Sequence, residues 1–238
     1  MLDFEELDFT PTPLGDLSLR RRAEVRLGDR DVFEVKLGDE FLMSSLFTAG
    51  ETALAERALT EHGGHGLDVV VGGLGLGYTA VAALAHAATA SVLVVELMAP
   101  VIRWHRQHLV PMGATLTADS RCRLVGGDFF AMCAKEGFDP AAPGRRFDVM
   151  LLDIDHSPRH WLHDANQAFY SAPGLTAAKA NLAPRGVFAL WSNDAPDDAF
   201  LVLLKSAFIA AAAQVVAFDN PYTGGTAAST IYLARAPA

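Results

Sequence analysis

Residues Leu67 to Val71 form an apolar run that breaks into glycines at Gly72-Gly73-Leu74-Gly75-Leu76-Gly77. An alanine-rich stretch from Tyr78 to Ala90 follows, and then a second apolar run, Ser91 to Glu96, that ends on an acid. Few local architectures accommodate this order. An apolar run without alternation reads as a parallel strand covered on both faces, and glycines permit a tight turn with close approach of backbone to a ligand. The alanine-rich stretch reads as a helix whose first N–H groups face the same place. Glu96 lies 19 residues past Gly77, where a carboxylate at the tip of the second strand can accept both hydroxyls of a ribose. The pattern therefore predicts a nucleoside site built on Gly73, Gly75, Gly77 and Glu96.

The rest of the chain extends the same alternation. Strands are expected at 67–72, 91–96, 121–125, 147–153 and 186–191, with helices near 78–90, 98–109, 129–136, 173–182 and 197–213. Two further strand-like runs, Ala213 to Phe218 and Ser229 to Leu233, close the chain around the loop Asn220-Pro221-Tyr222. The expectation is a Rossmann-like, seven-stranded, doubly wound α/β sheet. Ahead of it, Gly28-Asp29 and Gly38-Asp39 punctuate short β-like runs, which predicts a small β-hairpin or meander. Residues 1–48 form this β-rich extension and residues 49–238 the main domain, opened by a helix over Ala49 to His62.

Bulk properties exclude several function classes. The 238 residues carry a net charge of −9, and the short basic cluster Arg20-Arg21-Arg22 sits in an alternating segment, so no nucleic-acid footprint is expected. No apolar run approaches the roughly 20 residues that span a bilayer, and the acidic start Met1-Leu2-Asp3-Phe4-Glu5-Glu6 lacks the basic region of a secretion signal. A cytoplasmic protein without membrane partners is the expectation. Cys122 and Cys133 have neither metal-ligand spacing nor enough partners for a disulfide framework, and they read as buried thiols.

Further motifs carry a resemblance. These are Asp39-Glu40-Phe41 after the hairpin, the glycine loop, Val94-Val95-Glu96, Gly127-Asp128-Phe129, Phe147 to Asp153, Phe169-Tyr170 and Leu182 to Val187. Over roughly residues 15–235 the chain resembles spermidine synthases, the polyamine aminopropyltransferase branch of the class I S-adenosylmethionine-dependent methyltransferase fold. The resemblance implies a β-rich N-terminal piece, a seven-stranded sheet, decarboxylated S-adenosylmethionine as cofactor, a small-molecule amine acceptor and assembly as a homodimer or tetramer. Position by position, it puts the adenine beside Asp128 and Phe129, the ribose on Glu96, and an acid at the reacting centre on Asp153. Independently of the family, Asp128 also reads as a helix N-cap.

Departures are as informative. The family's glycine loop contains an aspartate that pairs with the aminopropyl ammonium, and this chain has Gly75 there. The tyrosine and glutamate that come after Asp-Glu-Phe in the family are replaced within Leu42-Met43-Ser44-Ser45. The fourth-strand loop reads Asp153-Ile154-Asp155-His156-Ser157-Pro158. Alternation along it would place Asp153 and Asp155 on one side, two carboxylates raising one another's proton affinity, while an Asx-turn at Asp155 is the competing reading. His156 is a candidate proton relay over the pocket, and Tyr170 and Trp191 are candidate walls for a cationic acceptor. The spacing of His156, His160 and His163 invites a metal, but Pro158 interrupts the helix it would need, so no metal is expected.

Three functions stay open from the sequence alone. One is a transferase using S-adenosylmethionine or its decarboxylated form to move a methyl or aminopropyl group. The second is a non-catalytic sensor or partner subunit that binds an adenosyl ligand. The third is a nicotinamide-linked oxidoreductase, against which the two-strand tail and Asp128 count.

Overall fold

A computed structural model describes residues 4–238, so the sequence start at Met1 to Asp3 lies outside the described residues. Two sheets organise the chain. The first is antiparallel, in the order β1 (Phe4–Thr12), β2 (Gly15–Glu24), β3 (Arg30–Leu37) and β4 (Glu40–Ser44). It is larger than the expected hairpin because β1 adds an edge strand that the sequence pattern does not signal.

Helix α1 (Ala49–His62) leads into the second sheet: β5 (Leu67–Gly72), α2 (Tyr78–Ala85), β6 (Thr89–Glu96), α3 (Ala99–Arg106), α4 (Gly113–Ala118) and β7 (Cys122–Gly126). Then come α5 (Phe129–Cys133), β8 (Phe147–Leu152), α6 (Ala172–Ala180), β9 (Leu182–Ser192), α7 (Asp198–Ala207), β10 (Ala210–Asn220) and β11 (Gly225–Arg235). The seven strands lie in the order β10-β11-β9-β8-β5-β6-β7, with β11 antiparallel to both neighbours and the rest parallel. A short 3-10 segment, Asp164–Tyr170, precedes α6.

Val69, Val70 and Val71 are fully buried, which is why this strand has no polar alternation. Each such side chain withdrawn from water contributes about 1.5–3 kcal/mol. The N-terminal sheet is not a loose appendage: Leu17, Leu19, Val35 and Leu37 join Leu54, Val69 and Val71 in one core. The opposite face of the large sheet packs an aromatic set that includes Phe129, Phe138, Phe169, Phe188 and Phe200.

Three sequence expectations need correction. Helix α7 stops at Ala207 instead of 213, because Ala210 to Ala213 pair with Arg235 to Tyr232 of β11 and the alanines serve as strand. Helix α2 ends at Ala85 and β6 begins at Thr89, two residues early. Helix α4 forms between α3 and β7 where no element was expected, burying Leu116.

Parallel register aligns the strand tips. Gly72 pairs with Val95 on one side and Leu152 on the other, and Glu96 pairs with Gly126. The next residues, Gly73, Asp153 and Gly127, are each tied to a neighbouring strand: Gly73 N donates to Val95 O (3.0 Å), Asp153 N to Gly72 O (2.9 Å) and Gly127 N to Glu96 O (2.9 Å). Gly73, Glu96, Asp128 and Asp153 thus emerge in one row at the carboxyl edge, around the β5/β8 switch point where ligands of such sheets collect.

Candidate active site

A cavity of about 250 Å³ opens at that row. Its floor includes Gly73, Gly75, Glu96, Asp128 and Asp153, and its roof is Leu14, Val35, Leu37, Leu42 and Met43 of the N-terminal sheet. The N-terminal piece is therefore part of the site.

Gly73 has φ +92°, and a Cβ there would run into the carbonyl of Asp153. The loop can pass this closely under the β8 tip only as glycine. At Gly75 (φ +49°) a Cβ would lie 2.5 Å from Met43 Cε and 2.6 Å from its Sδ. The Met43 thioether fills the space a side chain at 75 would need. Gly77 is the N-cap of α2 and stands outside the cavity lining, between the loop and α3. His105 Nε2 bonds the Gly75 carbonyl at 2.9 Å, and burial lowers the imidazole's proton affinity, so a neutral ring with its N–H toward the carbonyl holds the loop.

Glu96 is buried. Its Oε2 accepts from Leu74 N (2.9 Å) and its Oε1 from Met98 N (2.8 Å). Burial pushes its proton affinity up against the pull of these N–H groups. Asp128 caps α5 through Oδ1, which accepts from Phe130 N (2.9 Å) and Ala131 N (3.1 Å), and it also borders the cavity. Its capping and ligand-facing readings are compatible. Phe129 is 2% exposed and stacks on Phe138 at 4.5 Å, so its mass belongs to the core and only an edge reaches the cavity; Phe130 beside it is less buried.

Asp153 accepts from Thr79 Oγ1 at 2.6 Å, and burial raises its proton affinity despite that bond. Its carboxyl partner is Glu51 in the first turn of α1, raised first by burial and then by the charge of Asp153. Tyr78, at the start of α2, lies close enough to feel the Glu51 charge.

The expected Asp153–Asp155 pairing does not form. Strand β8 ends at Leu152, alternation ends with it, and Asp155 turns into the protein. There it accepts from Leu162 N (2.8 Å), Asn166 Nδ2 (2.8 Å) and the Tyr170 hydroxyl (2.8 Å). The structure thus places both Asp155 and Tyr170 outside the cavity lining, as fasteners of the loop that covers it. His156 does border the cavity, with Nε2 2.8 Å from Glu40 Oε1 of β4. Trp191 lies elsewhere, on a second cavity with Gly50 and Glu51.

Among the described residues no group of three or more His, Cys, Asp or Glu is placed to hold a metal ion, and no helix is long and apolar enough to cross a membrane. His160 contacts Ser157 and Asp194 instead of joining His156. Cys133 is buried and Cys122 half-buried, with burial pushing the thiols up to about 12 and about 11.

Sequence reasoning missed Glu51, Thr79 and Met43. An acid in a first helical turn is ordinarily explained by the helix dipole. The signal available was that α1 begins just after the roof strand β4.

No family model matches the sequence. Among solved structures, the chain is similar to the crystal structure of spermidine synthase from Thermotoga maritima, with a TM-score of 0.70 at 15% identity over 97% of this chain and 72% of that one. It is equally similar to a spermidine synthase in complex with the transition state analogue AdoDATO, with a TM-score of 0.71 at 16% identity over 97% and 73% of the two chains. The protein has a spermidine synthase-like fold of the class I methyltransferase type.

Proposed function

We propose that the protein is a transferase that alkylates a small amine from an S-adenosyl sulfonium. The observation that carries this reading is the row Gly73, Glu96, Asp128 and Asp153 on one cavity floor. These residues fit an adenosyl ligand: Glu96 sets a carboxylate at a strand tip on the cavity, Asp128 borders the same cavity, and Gly73 and Gly75 line it with bare backbone. When bound, the sulfonium supplies an electrophilic carbon.

The chain's own residues manage the amine. A protonated amine has no lone pair, so the site must attract a cation and then take its proton. Two partly buried carboxyls as close as Glu51 and Asp153 keep a proton between them into the neutral range, which leaves negative charge for an ammonium and a base strong enough to receive a proton. Thr79 fixes Asp153 so that one oxygen stays aimed. Gly75, under the apolar Met43, stands where the resemblance to spermidine synthases expects an aspartate for the aminopropyl ammonium, and the missing counter-charge supports intact S-adenosylmethionine and methyl transfer over the aminopropyl reaction.

Incubation with a panel of amines and either sulfonium, read by mass spectrometry, tests this. A methylated amine with S-adenosylhomocysteine as by-product is expected. An aminopropylated amine would overturn the choice of group, and no product despite adenosyl binding would favour a sensor.

A further inference from the structure

A second cavity of about 250 Å³ lies on the far side of Glu51, walled by Phe47, Trp191, Phe218, Asn193 and Asn220. Glu51 is the one ionisable residue among the described residues that line it, and its carboxyl feels the charge of Asp153 in the first cavity. Three aromatic residues beside one carboxyl make a site for an ammonium with an apolar body, since aromatic faces attract cations and cover flat groups. Trp191 Nε1 is buried without a hydrogen-bond partner, pressed against Gly50 of the same wall.

The outer end has no charge to offer. Tyr222, at the tip of the β10–β11 hairpin, packs edge-on to Phe47 with ring centroids 6.0 Å apart. Its hydroxyl donates to Glu24 at 3.0 Å, and Arg22 neutralises that glutamate at 2.6 Å. A linear diamine would carry its second ammonium to a wall of aromatics and amides, where it would lose water without gaining a counter-ion.

Building on the proposed transfer reaction, we propose that this second cavity is the acceptor pocket and that its ligand is a primary monoamine with a flat apolar body, not a linear diamine. Calorimetric titration of the full chain with phenethylamine and with 1,4-diaminobutane tests it directly, without turnover. Phenethylamine is expected to bind at least about ten-fold more tightly. Phe218→Ala and the nearly isosteric Glu51→Gln should each weaken it by a similar factor, with S-adenosylhomocysteine binding unchanged. Equal or tighter binding of the diamine, no binding of either amine, or phenethylamine binding insensitive to both substitutions would overturn the proposal. Loss of S-adenosylhomocysteine binding by the unmodified chain is a separate result that counts against the adenosyl reading alone.

Discussion

Glu51, in the first turn of α1, lies near enough to Asp153, just past the end of β8, for the Asp153 charge to raise the Glu51 carboxyl's proton affinity, and each of the two borders its own cavity. Neither element is near the other in sequence, and the pair exists because α1 packs across the sheet beside β8. Asp153 borders the glycine-loop cavity and Glu51 borders the aromatic one.

The pair should control both activity and stability. Glu51→Gln removes one carboxyl of the pair, so transfer at neutral pH should fall by roughly 10²–10⁴-fold while adenosyl affinity holds. Stability moves the other way. A carboxyl whose proton affinity rises on folding stabilises the folded state below its unfolded value, 4.5 for Glu51, and loses that contribution as pH rises through the folded value. The melting temperature of Glu51→Gln relative to the native chain should therefore climb between pH 5 and pH 9, measured by thermal unfolding in a pH series.

Gly75 and Met43 should be coupled. Gly75→Asp places a side chain against Met43 and in a left-handed conformation that costs about 1–2 kcal/mol for a non-glycine residue. It should lower the melting temperature and weaken adenosyl binding. Adding Met43→Ala should recover part of both losses, because the clash goes and the backbone strain stays. A double-mutant cycle on melting temperature reads the coupling.

Asp155 and Tyr170 should behave as structural residues. Tyr170→Phe removes one of three hydrogen bonds to Asp155 and should cost about 1 kcal/mol. Asp155→Ala strands all three donors, and a loss of about 3 kcal/mol or more is expected in urea denaturation. Tyr170→Phe should leave the rate of transfer nearly unchanged, an outcome that a Tyr170 acceptor contact would not allow.

Asp8 fastens the roof. Trp104 Nε1 donates to it at 2.6 Å and Arg103 at 2.7 Å, joining β1 to α3. Burial works to raise its proton affinity, but hydrogen bonds from Trp104, Thr10 and Arg103 outweigh it and hold the carboxyl below its ordinary 3.8. The stability it adds is present above that value and is lost as pH falls through the folded value. Asp8→Asn should be less stable than the native chain at pH 7, with the difference narrowing in acid.

The central motif was legible because a fully buried strand leaves an unalternated valine run and because glycine has few other reasons to recur at 73, 75 and 77. Glu96 followed from spacing alone. Strand β1 was not legible, since Phe4 and Phe9 are exposed and acids and Pro11 interrupt the run. The alanines of β10 have helical propensity that pairing with β11 overrides. Asp155 was misread because a period-2 argument was carried past Leu152, where the strand stops. Glu51 could not be found from local pattern, because its meaning depends on a tertiary neighbour 102 residues away.

The most direct measurement is calorimetric titration of the native chain and Glu96→Gln with S-adenosylmethionine, its decarboxylated form and S-adenosylhomocysteine. Binding of the carboxylated ligands in preference to the decarboxylated one, weakened by about ten-fold or more in Glu96→Gln without loss of fold, is the expected result. Absence of binding by all three would contradict the adenosyl site on which the functional reading stands.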